Sequence, residues 1–135
     1  MNFELDPKLA QDSSFICDLP LSQVRLSHNA AFPWIVLIPR QPQLIELIDL
    51  SLSDQGQLWQ EITRASHIMR AIFSPTKLNV ANLGNVVAQL HIHVIARFAS
   101  DKAWPNPVWN SHIQANYLSQ DKQNLITQLR IAFQG

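Results

Sequence analysis

The segment Gln89-Leu90-His91-Ile92-His93-Val94-Ile95-Ala96-Arg97 constrains this chain more than any other stretch. In an extended strand, successive side chains point to opposite faces. Leu90, Ile92, Val94 and Ala96 then form one wholly apolar face, and Gln89, His91, His93 and Arg97 share the other, interrupted only by Ile95. A strand apolar on one side needs a layer of helix or sheet to cover that side. The apolar face is complete without the histidines, which leaves His91 and His93 free for chemistry.

The rest of the chain supplies the covering layers. Asp6-Pro7 opens a short helical turn, and Ser14 to Asp18 and Val24 to Ser27 are strand candidates separated by Leu19-Pro20. Trp34 to Ile38 reads as a buried strand closed by Pro39. Leu58, Ile62, Ala65, Met69 and Ile72 recur at helical spacing, with Ser53 as the expected N-cap and Ser74-Pro75 as the stop. Strands over Lys77 to Leu83 and Gln89 to Phe98 follow, and Leu118 to Phe133 carries a second helical pattern. The expected fold is α+β: about five strands in a mainly antiparallel sheet, a long central helix and a C-terminal helix. A single domain over residues 1–135 is expected, its core at about 14–109 and a helical extension at about 115–133.

Composition removes several function classes. Ten Lys+Arg balance ten Asp+Glu, and charged residues make up only 15% of the chain. With no basic run, nucleic acid is not an expected partner. The three glycines, Gly56, Gly84 and Gly135, cannot build a GxGxxG fingerprint or a GxxxxGK[ST] phosphate loop. The lone Cys17 allows neither an internal disulfide nor a cysteine-based zinc site, which suits a reducing compartment. The longest nearly apolar stretch, Ala30 to Pro39, is about half of the roughly 20 residues that span a bilayer. No basic start followed by an apolar block marks a signal peptide, so a cytoplasmic protein without a membrane partner is expected.

Two histidines in register on one strand face suit two chemistries. A neutral imidazole is a nucleophile near pH 7, and an activated phosphorus is its natural electrophile where no carboxylates cluster. The phosphate oxygens then need donors, which Asn85, Val86 and Val87 after Gly84 can offer as backbone N–H groups. The other chemistry is a metal site, in which His28, Asp18 or His112 would have to supply a third ligand.

At these residues the chain resembles the histidine triad (HIT) superfamily of nucleotide hydrolases and transferases. The family motif is His-x-His-x-His followed by two apolar residues, each x being apolar. The sequence matches at every position except the first, where Gln89 stands in place of histidine. The resemblance extends to Ile35-Val36-Leu37-Ile38-Pro39, to the long helix, to the asparagine-bearing Lys77 to Asn85 segment and to Trp104-Pro105. It implies that His91 attacks the α-phosphorus of a purine nucleotide or other nucleoside phosphate derivative, giving a nucleotidyl-histidine. His93 would hydrogen-bond phosphate oxygens or the leaving group, and Gln89 would orient His91 or hold the leaving group.

The same resemblance makes Asn29 the ribose-binding residue with His28 beside it, and Asn79 the phosphate-site asparagine, with Asn82 as its competitor. Asn85 and Val86 would lie in the phosphate turn; independently of the resemblance, the proline-stiffened loop carrying Trp104 and Trp109 is expected to cover this site or a dimer partner's site. The resemblance implies no metal or other cofactor, and a homodimer. The alternative within the same fold is a nucleotide-binding module with little or no catalysis. Among the other residues, Trp34 and Trp59 read as packing, and Arg97 as half of a surface ion pair.

Overall fold

Over Ile92–Arg97 only, the alternating segment becomes an inner strand of a five-stranded antiparallel sheet. The strand is shorter than the expected Gln89 to Phe98, with Gln89 to His91 leading into it as loop. The structure is a computed structural model that describes residues 1–135. In chain order the elements are α1 (Pro7–Asp12), β1 (Ser13–Asp18), β2 (Ser22–Ser27), β3 (Trp34–Pro39), α2 (Leu52–Phe73), β4 (Lys77–Asn82), β5 (Ile92–Arg97) and α3 (Ser119–Gln134), with one 3-10 turn at Leu47–Asp49. The sheet order is β1-β2-β3-β5-β4. This is the α+β arrangement expected from the pattern of periods.

Each boundary has a local cause. The Asp6 carboxylate accepts from the Lys8 N–H at 2.8 Å and starts α1 ahead of Pro7. The N-cap of α2 is Ser51, whose hydroxyl accepts from the Asp54 N–H. Ser53, the expected cap, lies one residue inside the first turn. Ser74 ends α2 in a left-handed conformation (φ 48°), and Pro75 prevents any continuation. The C-terminal helix begins at Ser119, leaving Leu118 exposed ahead of it.

One face of the sheet carries the main core. Leu90, Ile92, Val94 and Ala96 join Val24, Leu26, Ile35 and Leu37, and α2 and α3 cover them with Leu58, Ile62, Met69, Ile126, Leu129 and Phe133. Burying each such side chain contributes about 1.5–3 kcal/mol. The one carboxylate in this layer, Glu61, accepts from Gln57 and from the backbone N–H groups of Leu21 and Ser22, fastening the β1–β2 turn to α2. Trp59 is an exception to the expected packing: it stands 66% exposed on the outer side of α2.

The opposite face has no helix of comparable length over it. Register places Phe15, Arg25, Val36, His93 and Ala81 in one row across the five strands. Two small apolar clusters flank this row, one around Leu9, Val36, Ile38 and Val87, the other around Phe32, Ile95, Ala103 and Val108. A cleft opens between them.

Candidate active site

A cleft of about 550 Å³ is lined by α1, the β2–β3 connection, the Leu83 to Val87 loop, both motif histidines and the segment from Trp109 to Asn116. His91 lies immediately before β5 and His93 within it, and both are buried, with ring centroids 4.8 Å apart.

The two imidazoles are held in different tautomers. His91 Nδ1 is 2.7 Å from the Gln89 carbonyl, which can only accept, so Nδ1 carries the proton. Its Nε2 is therefore a bare lone pair in the neutral ring. That atom has no partner within the chain and is not among the sealed, unpartnered polar atoms, which are Ser22 Oγ and Arg40 Nε alone. It faces the cleft.

His93 is fixed from both sides. Trp34 Nε1–H donates to its Nδ1 at 3.0 Å, and its Nε2–H donates to the Leu83 carbonyl at 2.9 Å. Burial pushes its pKa down to about 4, and the neighbouring His91 works in the same direction. With both nitrogens engaged, His93 has no free group for a phosphate in this arrangement. Its edge instead packs against Trp34 and Trp109, with centroids 5.6 and 5.0 Å away.

The loop beside His91 requires a glycine. A Cβ on Gly84 would lie 2.5 Å from the Val87 carbonyl oxygen and 3.2 Å from His91 Cε1. Past this close approach, the N–H groups of Asn85, Val86 and Val87 make no hydrogen bond within the chain, and all three residues line the cleft. No group of three His, Cys, Asp or Glu side chains converges anywhere, so His28, Asp18 and His112 do not complete a metal site with the histidine pair.

Comparison with known proteins places this geometry in a family. Residues 8–100 match the HIT domain. A histidine triad protein from Bradyrhizobium japonicum is 42% identical over 98% of both chains, with a TM-score of 0.95. The chain belongs to the histidine triad family. Related histidine triad proteins from Marinobacter aquaeolei VT8 (33% identity, 99% of this chain and 98% of that one, TM-score 0.95) and Sinorhizobium meliloti 1021 (32%, 96% of each, 0.93) share the whole fold. No curated protein matches the chain.

Against the triad pattern, several residues take places that the motif does not suggest. Gln89 turns its side chain away from the cleft: Oε1 accepts from the Asp6 N–H at 2.9 Å and Nε2 donates to the Glu4 carbonyl at 2.8 Å. The backbone of Gln89, and not its amide, orients His91. Asn29 lines the cleft, but its Nδ2 donates to the Ile113 carbonyl and its Oδ1 accepts from Ala31 and Ala115. It fastens the 113–115 segment, and its amide is spent on backbone. Beside it, His28 lines the cleft with its Nε2 2.7 Å from Ser14 Oγ, and burial lowers its pKa.

Asn79 and Asn82 do not reach the cleft. The Asn79 Oδ1 accepts from Arg97. Arg97 is itself 1% exposed, not a surface residue, and forms a bidentate pair with Asp101 at 2.8 and 3.1 Å. That pair holds the Asp101 carboxyl down at about 2. Trp104 sits over the Arg97 guanidinium and away from the cleft, while Trp109 takes the covering position.

Sequence reasoning missed Trp34 as a site residue, along with Lys8, Asp12, Gln114 and Asn116 on the cleft walls. The available signal was the indole N–H, which needs a partner when its ring is largely buried.

Proposed function

We propose that this protein is a nucleotide hydrolase or nucleotidyl transferase acting at the α-phosphate of a nucleoside phosphate derivative. Membership of the histidine triad family supports a nucleotide-directed activity of this broad kind. The observation that carries the finer reading is the His91 Nδ1–H bond to the Gln89 carbonyl, which leaves Nε2 unprotonated and open to the cleft.

In this reading Nε2 attacks phosphorus, forming an N–P bond as the bond to the leaving group breaks. The electron pair departs with the leaving group, which takes a proton from solvent. The positive charge that develops on the ring is shared through Nδ1–H with the Gln89 carbonyl. Water or another acceptor then attacks phosphorus, and the N–P electron pair returns to Nε2. The unpaired N–H groups of Asn85, Val86 and Val87 are the donors for the phosphate oxygens. His93, neutral and doubly bonded, keeps the wall beside His91 rigid.

One observation favours a second reading, a nucleotide-binding module with little turnover. Neither Gln89, turned to the N-terminal segment, nor His93, with both nitrogens occupied, offers a proton to a leaving group. A homodimer belongs to the same proposal, because β4 is an edge strand with Val80 exposed on it and Leu83 exposed just past its end. A sedimentation mass of one chain would reject the dimer.

The functional test is incubation with an adenosine phosphoramidate followed by alkaline quench and mass spectrometry. The expected result is an acid-labile nucleotide adduct on His91, absent in His91→Ala. AMP binding without adduct or hydrolysis would leave the binding module standing and sink the enzyme.

A further inference from the structure

Building on the nucleotide reading of the cleft, we infer that Gln89 is a positioning residue that holds the N-terminal segment as one wall of the substrate site, without touching the reacting atoms. Both halves of its amide are used on that segment: Oε1 receives the Asp6 N–H and Nε2 donates to the Glu4 carbonyl. This two-point bridge resembles a rung of a sheet, with one side chain replacing a strand. A carboxylate here has no donor, and an imidazole presents its donor and acceptor at opposite ring edges. Glutamine alone among the three matches both backbone groups.

The bridged segment does more than cover the fold. Phe3 and Leu5 pack against the cluster of Leu9, Val36, Ile38 and Val87. Asp6, whose N–H is held by Gln89, caps α1 through its own carboxylate. From α1, Lys8, Leu9 and Asp12 line the cleft, Lys8 and Asp12 paired at 3.0 Å. The side chain of Gln89 therefore secures the α1 wall, while its carbonyl fixes the tautomer of His91. Loss of the amide frees the wall and spares the carbonyl. The consequence falls on substrate affinity, with the chemical step in the bound complex retained.

The test uses full-length Gln89→Ala, Gln89→Glu and Gln89→His, with an adenosine phosphoramidate series of graded leaving groups and with AMP as a binding probe. For Gln89→Ala, KM and the AMP dissociation constant should rise about tenfold, with kcat within about twofold of wild type. Amide exchange at Asp6 should accelerate about tenfold or more as its acceptor is lost. Gln89→Glu, which keeps only the acceptor, should fall between Gln89→Ala and wild type. Gln89→His should give no gain in kcat, even with the most basic leaving group.

A kcat deficit in Gln89→Ala that deepens with leaving-group basicity at constant KM would overturn the assignment, as would a kcat gain in Gln89→His. Unchanged Asp6 exchange in Gln89→Ala would overturn it whatever the nucleotide chemistry. Failure of the nucleotide reading itself looks different: wild type would form no adduct and bind no AMP, while the Asp6 exchange still reports on the bridge.

Discussion

The two faces of the segment from Leu90 to Arg97, which contains β5, are equally buried and yet do different things. On the helix side, Leu90, Ile92, Val94 and Ala96 are at most 2% exposed and merge into one continuous apolar core. On the cleft side, His91, His93, Ile95 and Arg97 are at most 6% exposed, and each polar side chain has its own set of bonded partners. The first face is interchangeable in kind, since any well-packed apolar residue of the right volume serves it. The second is specified atom by atom, through tautomers and acceptors. Burial fraction does not separate a stabilising face from a chemical one; the identity of what covers it does.

The largest expected effect separates the faces in activity. His91→Ala should reduce turnover of a nucleotide substrate by about 10³-fold or more, roughly 4 kcal/mol of transition-state stabilisation. Its melting temperature should stay close to wild type. Loss of stability without loss of turnover per folded molecule would reverse the roles of the two faces.

One position along, Ile92→Ala should lose about 2–5 kcal/mol in urea unfolding while kcat of the folded protein holds. The third prediction concerns pH. The folded pKa of His93 is lowered to about 4 from an ordinary value near 6.5, so the unfolded chain takes up a proton across that interval and the folded chain does not. The stability from neutral His93 is complete above about pH 6.5 and is lost as pH falls toward 4, a change of about 3 kcal/mol. His93→Gln should flatten that slope in a pH series of unfolding curves; an unaltered slope would place the titration elsewhere.

The smallest effect is at Trp34. Trp34→Phe keeps the ring and removes the donor to His93 Nδ1, at a cost of about 1 kcal/mol. The His93 resonances should then titrate at higher pH by NMR, since the neutral ring has lost one of its bonds.

Much of the architecture was legible in the chain because it rests on period. The alternation at 89–97 and the spacing from Leu58 to Ile72 survive any tertiary context. The cap of α2 was displaced from Ser53 to Ser51 because both serines suit the role and only backbone geometry separates them. His91 was readable as a cleft residue from its motif. The jobs of Gln89 and Asn29 were not, because their amides bind backbone groups more than eighty residues away, where no side-chain pattern marks the partner. Arg97 was misplaced at the surface for a related reason: Asp101 meets it only after the loop folds back over β5. Trp34 lies in a strand that is apolar on both faces, so alternation says nothing about which side its indole takes.

The bond between Trp34 and His93 also has a kinetic meaning. It joins residues 59 apart in sequence, across the pairing of β3 with β5 that encloses α2 and β4. Contacts of such span are slow to form because a long loop must close before anything rewards it. In a refolding chain, α2 and the β1–β2 hairpin can be in place while the cleft is still open sheet edge. The assembled cleft then returns on the timescale of the last strand pairing, behind the recovery of helical signal.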